Sequence, residues 1–275
     1  MHFDAKKSLA NFLAEDIGKG DITSNLLSRK KISAKIISRQ HGLIAGVQYA
    51  KEIFSSKGCQ VKIIKINGSH IKLNDTIMTI TGTAQVVLSC ERTALNILSR
   101  MSGIATQTNL LVKKINKINP KVKLYSTRKT APGLRYFDKE AVAIGGGNKH
   151  RLSLDQMIMI KDNHLAVAGS VYPLLEKARK KYKKIEVEVE NLHDAVISAQ
   201  GGASIIMLDN MKPKEITQVV NTLKKLGLRN KAKLEASGGI DSTNIQSFAK
   251  TGIDMISVGK ITSSVVGLDL SLEVS

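Results

Sequence analysis

The rhythm of apolar and polar positions changes near residue 100. Before it, short apolar runs at 32–37, 42–45, 61–66 and 77–81 are separated by the turn signals Asn67-Gly68 and Asn74-Asp75. Runs of this length between turn residues predict an antiparallel sheet of short strands. A short helix is predicted over 8–14, closed by a turn at Gly18, Gly20 and Asp21. From 90 to 112 the spacing of Leu95, Leu98, Ile104 and Leu111 predicts long helical stretches, with Gly103 a break between them.

After residue 120, β-rich runs at 122–126, 157–160, 185–189, 204–208, 232–236 and 254–258 alternate with helical segments at 172–182, 193–200, 214–226 and 243–250. Such alternation predicts βαβ units and a parallel sheet. Six strands with no evident switch point fit a barrel better than an open sheet.

Composition narrows the class. The 275 residues are 42% hydrophobic and 24% charged, which excludes a disordered chain. Aromatics are only 4% and Trp is absent, so the core is mostly aliphatic. With 42 basic and 23 acidic side chains the net charge is +19. So basic a chain attracts anions, whether nucleic acid, acidic membrane or small phosphorylated and carboxylated molecules. Cys59 and Cys90 match no metal spacing and read as reduced thiols. No secretory signal opens the sequence, and no apolar run reaches the roughly 18 residues that span a bilayer. A cytoplasmic protein is expected.

Each predicted strand ends in polar or glycine-rich chain. Arg128 and Lys129 come after the first, Lys161 to His164 after the second, and Glu188 and Glu190 end the third. Asp209 and Asn210 end the fourth, Ser237, Gly238 and Gly239 the fifth, and Gly259 and Lys260 the sixth. In a barrel of parallel strands these ends converge on one face, where active sites lie. The cations Arg128, Lys129, Arg135, His150, Arg151 and Lys161 suit a ligand with several negative groups, since guanidinium forks grip carboxylate or phosphate at two points. Glu188, Glu190 and Asp209 suit a metal ion or ribose hydroxyls instead. The glycine loop at 237–239 and Gly259 suit close approach to a phosphate. Together they predict a phosphorylated sugar.

Several of these features also have plainer explanations. Gly145-Gly146-Gly147, taken alone, reads as a flexible loop. Glu186, Glu188 and Glu190 share one strand face, which is either a polar interior or a solvated edge. His41, His70 and His193 read as structural, and the lysine runs at 113–123, 177–184 and 224–233 as solvated faces.

The motifs then resemble a known family. Ser126-Thr127-Arg128-Lys129-Thr130-Ala131-Pro132-Gly133-Leu134-Arg135, Gly145 to Arg151, Ile160-Lys161-Asp162-Asn163-His164, Glu186 to Glu190, Met207-Leu208-Asp209-Asn210 and Glu235-Ala236-Ser237-Gly238-Gly239-Ile240 resemble, in order, segments of quinolinate phosphoribosyltransferase, also called carboxylating nicotinate-nucleotide pyrophosphorylase. Glu15-Asp16 with Gly20-Asp21-Ile22-Thr23, Glu91 to Asn96 and Ser102 to Thr106 extend the resemblance over nearly the whole chain. Gly259-Lys260-Ile261-Thr262-Ser263-Ser264 departs from the family's GALTHS-like run, with Lys260 for a small residue and Ser263 for the His.

The resemblance implies an α/β fold: an N-terminal α/β sandwich domain over 1–105, an incomplete α/β barrel over 106–264, and a tail at 265–275 returning to the first domain. It implies a homodimer or higher oligomer with shared active sites and a requirement for Mg²⁺. The reaction implied is phosphoribosyl transfer from phosphoribosyl pyrophosphate to quinolinate, with decarboxylation. By resemblance Arg128, His150, Arg151 and Lys161 surround the quinolinate carboxylates, joined by Arg92 from the neighbouring subunit. Lys129, Lys161, Glu188 and Asp209 take the catalytic roles, Glu188 and Asp209 also serving Mg²⁺ directly or indirectly. Ser237, Gly238, Gly239 and Gly259 hold the 5′-phosphate. Three rivals remain: a related transferase linked to molybdate transport, a Schiff-base aldolase using Lys161, and a nucleic-acid binder suggested by charge alone. No specific nucleic acid and no membrane is expected as a partner.

Overall fold

The computed structural model describes residues 4–274. In chain order the elements are α1 (Ala5–Ile17), β1 (Lys31–Ser38), β2 (Gly42–Leu43), α2 (Val47–Ser56), β3 (Gln60–Ile63), β4 (His70–Ile71), β5 (Thr76–Thr83), α3 (Ala84–Asn116), β6 (Lys123–Tyr125), α4 (Arg135–Ile144), β7 (Ile158–Ile160) and α5 (Asp162–Ala168). Next come α6 (Val171–Arg179), β8 (Ile185–Val189), α7 (Leu192–Gln200), β9 (Ile205–Asp209), α8 (Pro213–Lys225), β10 (Lys233–Ser237), α9 (Ile245–Ala249), β11 (Met255–Ser257), α10 (Lys260–Ser263) and β12 (Leu270–Val274). They form two compact units. One holds the chain up to Asn109, Thr130–Gly146 and the chain from Ser264 onward; the other holds Leu110–Lys129 and Gly147–Ser263.

The first unit is built on an antiparallel sheet of order β12-β1-β5-β3, and β2 pairs separately with β4. β12 runs antiparallel to β1, Ala34 opposite Val274 and Ser38 opposite Leu270, so the two strands are neighbours although far apart in sequence. Helix α2 begins where Asn67 caps it: the Asn67 Oδ1 accepts from the Gly46 and Val47 amides at 2.8 and 3.2 Å. The residue predicted only as a turn former therefore also starts a distant helix.

Gly103 does not break the helix. α3 runs unbroken through it for 33 residues. A Cβ at Gly103 would lie 2.1 Å from the Val266 carbonyl oxygen. The glycine is there because another stretch of backbone crosses the helix at contact distance. Gly145 is likewise a contact residue, its would-be Cβ 2.6 Å from the Ala105 carbonyl oxygen, so the glycine run is not simply a flexible loop. Asp138, fully buried on α4, receives two bonds from Arg100, at 2.7 and 2.9 Å. Residues 130–146 pack with the first unit, although their position in the sequence predicts them in the barrel.

The second unit is a parallel sheet of order β6-β11-β10-β9-β8-β7. The predicted strands fall within one or two residues of these six. Helices between them carry apolar faces, as in α8 with Ile216, Val219, Val220 and Leu223 buried. Pro213 opens α8, where a missing amide hydrogen costs nothing, and Glu215 accepts from the Lys212 amide at 2.6 Å. β6 and β7 are the outer strands of the order, and a single bridge between Tyr125 and Asn148 lies beyond β6. The barrel is therefore incomplete.

Gly103→Ala must displace either α3 or the backbone at Val266. We expect it to lower unfolding stability by about 1–3 kcal/mol, read as a lower urea midpoint at unchanged slope.

Candidate active site

Strand pairing decides which side chains share a face. Residues opposite one another in a parallel ladder point the same way, and every second residue along a strand does so too. Glu186 pairs with Ile205 and Glu188 with Met207. Met207 pairs with Glu235, and Asp209 with Ser237. Met159 pairs with Glu186, so Lys161, two residues on in extended backbone, continues the same face. One face of the sheet thus carries Lys161, Glu186, Glu188, Asp209, Glu235 and Ser237. The alternate positions Ile185, Val187 and Val189 are buried and apolar. Along β8 and just past its end the three glutamates grade from buried Glu186 through half-buried Glu188 to exposed Glu190. The polar interior is correct for the first two; Glu190 stands outside it.

Arg128, Arg151 and Lys161 line one cavity of about 860 Å³ beside β7, together with Lys177, Lys180 and Lys181 from α6 and the turn after it. Lys161 meets Glu188 at 2.6 Å, an ion pair across neighbouring strands. Arg151 is buried and donates to the Met157 carbonyl at 3.0 Å and to the Met159 sulfur at 3.2 Å. Burial first, then the neighbouring Arg128 charge, draws the Arg151 guanidinium below its ordinary value, while Glu186 and Glu188 act the other way. Two guanidiniums held within reach of each other favour an anion.

Asp209 and the glycine loop form a second group. Asn210 adopts a left-handed backbone and donates from Nδ2 to Asp209 at 2.7 Å. Its amide donates to the Ser237 carbonyl at 2.9 Å. Gly238, at φ +90°, lets Asn210 approach: a Cβ there would sit 2.2 Å from Asn210 Oδ1. Lys129 lies against Gly259, whose would-be Cβ is 3.1 Å from the Lys129 side chain, and Thr262 donates to the Lys129 carbonyl at 2.9 Å. Lys260, the departure from the family run, pairs with Asp241 at 3.1 Å and so ties the Gly259 turn to the loop after β10. The Asp241 carboxyl is held well below the usual range, first by the Thr243 hydroxyl and amide and then by Lys260.

His150, Arg135 and Arg92 are not among the residues that line the cavity beside β7. The resemblance puts His150 against a substrate carboxylate. Its ring is buried, with Nε2 at 3.3 Å from Glu186 and 3.6 Å from Glu235, and Nδ1 accepting from the Arg151 amide at 2.9 Å. Both nitrogens face protein groups because the strand register brings two carboxylates inward at that depth. Arg135 belongs to the first unit, where its Nε donates to Thr130 at 3.2 Å. Arg92 is exposed on α3, also in the first unit. Sequence reasoning does not single out Glu235. Its place two residues before Ser237, on the same strand face, is the available signal.

An incomplete parallel barrel that carries clustered cations, inward carboxylates and a glycine loop on one face defines an enzyme of anionic substrates. Residues 104–273 match the C-terminal domain of quinolinate phosphoribosyl transferase and residues 21–102 its N-terminal domain, and the chain belongs to that family. It is 44% identical over 255 residues to a probable nicotinate-nucleotide pyrophosphorylase [carboxylating] of Archaeoglobus fulgidus, across 93% of this chain and 98% of that one. It is 35% identical to the nicotinate-nucleotide pyrophosphorylase [carboxylating] of Rattus norvegicus, across 97% and 90%. The solved nicotinate-nucleotide pyrophosphorylase of Francisella tularensis superposes with a TM-score of 0.91 at 38% identity, covering 98% of this chain and 96% of that one.

Gly238→Ala forces a side chain into left-handed backbone and into Asn210, the residue bonded to Asp209. We expect turnover to fall at least about tenfold while the thermal midpoint drops only a few degrees, measured by steady-state kinetics and calorimetry on the same preparation.

Proposed function

We propose that this chain transfers the phosphoribosyl group of phosphoribosyl pyrophosphate to the ring nitrogen of quinolinate and decarboxylates the product, giving nicotinate mononucleotide, pyrophosphate and CO₂ in NAD biosynthesis. The family membership supports the reaction, and the gathering of Arg128, Arg151 and Lys161 in one cavity supports the substrate. Quinolinate carries two adjacent carboxylates, and a dianion of that shape suits two guanidinium forks and an ammonium.

The steps are dictated by charge. The three cations hold the ring with its nitrogen toward the anomeric carbon, so most of the work is positioning. Pyrophosphate leaves with the electrons of the bond to the anomeric carbon, and the ring nitrogen's lone pair forms the new bond there. The nitrogen is now positive. It draws in the electron pair of the adjacent bond to carboxylate, CO₂ departs, and the vacated ring carbon takes up one proton. Lys129 and the loop at Ser237, Gly238, Gly239 and Gly259 would hold the phosphoribosyl pyrophosphate.

Glu188 and Asp209 would hold Mg²⁺. Their register supports this: both are hard oxygen donors on one sheet face, on neighbouring strands. Glu188 is shared with Lys161, so an ion there competes with an ammonium for the same carboxylate. When bound, the ion neutralises charge on the departing pyrophosphate. Arg92 would complete the site from a second copy in a homodimer, and the enzyme would work in the cytoplasm. Among the described residues no helix is long and apolar enough to cross a membrane.

Family membership favours phosphoribosyl transfer over the Schiff-base reading, and Lys161 pairs with Glu188 at 2.6 Å.

Purified protein given quinolinate, phosphoribosyl pyrophosphate and Mg²⁺ is expected to form nicotinate mononucleotide, measured chromatographically; nicotinate in place of quinolinate is expected to give none. Arg128→Ala is expected to lower kcat/KM for quinolinate about 100-fold, the value of one charge-assisted two-point contact; near-normal turnover would remove Arg128 from the site. Chelation with EDTA is expected to stop product formation, and added Mg²⁺ to restore it.

A further inference from the structure

His150 adopts a backbone conformation that residues other than glycine rarely take, at φ +54°. Something must hold it there. Its ring stands edge-on to Tyr125, with centroids 5.9 Å apart, and its Nε2 sits between Glu186 and Glu235 at 3.3 and 3.6 Å. Both glutamates are completely buried, and neither the carboxylate oxygens nor His150 Nε2 meets hydrogen-bond geometry with any described residue, so what joins the three groups is charge at ion-pair distance. Burying two carboxylates is costly, and nothing else in their surroundings accounts for both. The other ring nitrogen accepts from the next amide, that of Arg151, at 2.9 Å. The ring is therefore bonded to the peptide from which Arg151 departs. From there the Arg151 guanidinium reaches the cavity it shares with Arg128 and Lys161.

We propose that Glu186 and Glu235 are positioning residues: they lock the His150 ring, and through it the left-handed backbone that aims Arg151 beside Arg128 in the anion cavity. This rests on the assignment of that cavity to the quinolinate carboxylates. The arrangement solves a mechanical problem. Two guanidiniums repel, and a flexible arginine would swing away from its neighbour and gain side-chain entropy by doing so. Anchoring the backbone one residue before Arg151 denies it that freedom, and Glu186 adds a favourable charge from below. The role is selective, because it acts on the dicarboxylate side of the site and leaves the glycine loop alone.

The test uses the full-length protein, with circular dichroism and thermal midpoints checked first. Glu235→Gln keeps the shape and removes the charge; Glu186→Gln is the second variant should the first not fold. Quinolinate binding is measured by calorimetry, and KM is measured separately for quinolinate and for phosphoribosyl pyrophosphate. The expected result is about tenfold weaker quinolinate binding with KM for phosphoribosyl pyrophosphate unchanged. In a His150→Asn background, where the ring is gone and left-handed backbone is tolerated, Glu235→Gln is expected to have no further effect. Equal losses for both substrates, or additive effects in the double variant, would overturn the proposal. So would a stoichiometric metal ion in the purified protein by mass spectrometry that Glu235→Gln removes, since the three side chains would then be ligands and not a clamp. Phthalate, which has the two carboxylates without the ring nitrogen, is titrated in parallel. If quinolinate is never turned over while phthalate binds, the function has failed, and the positioning role is still decided by how the same variants bind phthalate.

Discussion

A polar side chain at every second position of a buried parallel strand has to be accommodated inside the barrel. That constraint governs the second unit. The apolar alternates Ile185, Val187 and Val189 are buried, and the same geometry commits Glu186 and Glu188 to the other face. Carboxylates in an interior must meet positive partners or lose their charge. Here Glu188 meets Lys161, while the deeper Glu186 and Glu235 share the one His150 imidazole. Burial raises the proton affinity of Glu186, and the imidazole opposes it. The same two carboxylates that flank His150 more than offset its burial, and its pKa is raised to about 9.

Catalytic use depends on how little must move. Arg128, Arg151 and Lys161 share one cavity, and Glu186 and Glu188 favour the Arg151 charge against the crowding of Arg128. On the proposed function a dianion in that cavity would meet fixed donors, the arrangement that makes electrostatic stabilisation effective. The glycine loop is organised by a different device. Asn210, itself in strained backbone, fits against Gly238 and bonds Asp209, so the ends of β9 and β10 are set as one piece.

Much of this is legible from residues alone. The six strands of the barrel are visible because each is a short apolar run closed by a charged or glycine-rich end. Lys161, Glu188 and Asp209 can be named because they terminate those runs. The features that escape depend on contacts between distant segments. Gly103 looks like a helix breaker until the backbone at Val266 is seen crossing it. Arg135 looks like a barrel cation because it lies close after Arg128, yet α4 packs with the other unit. Glu235 is ordinary in sequence, and only the pairing of β10 with β9 turns it toward His150. His150 stands out in the sequence among the barrel's cations, but its surroundings depend on two carboxylates that come from separate strands.

The pairing of β12 with β1 has a consequence for how the molecule is made. Arg39 bonds Glu273, a partner 234 positions later, and the antiparallel sheet of the first unit acquires its edge strand from the last residues described. During synthesis on the ribosome the barrel's strands, all before residue 258, emerge earlier than that edge. Although it begins first, the amino-terminal sheet must wait with β1 unprotected on one side until Leu270–Val274 have been made. The order of completion is thus the reverse of the order of synthesis, and the waiting edge is the part of the nascent chain most exposed to mispairing.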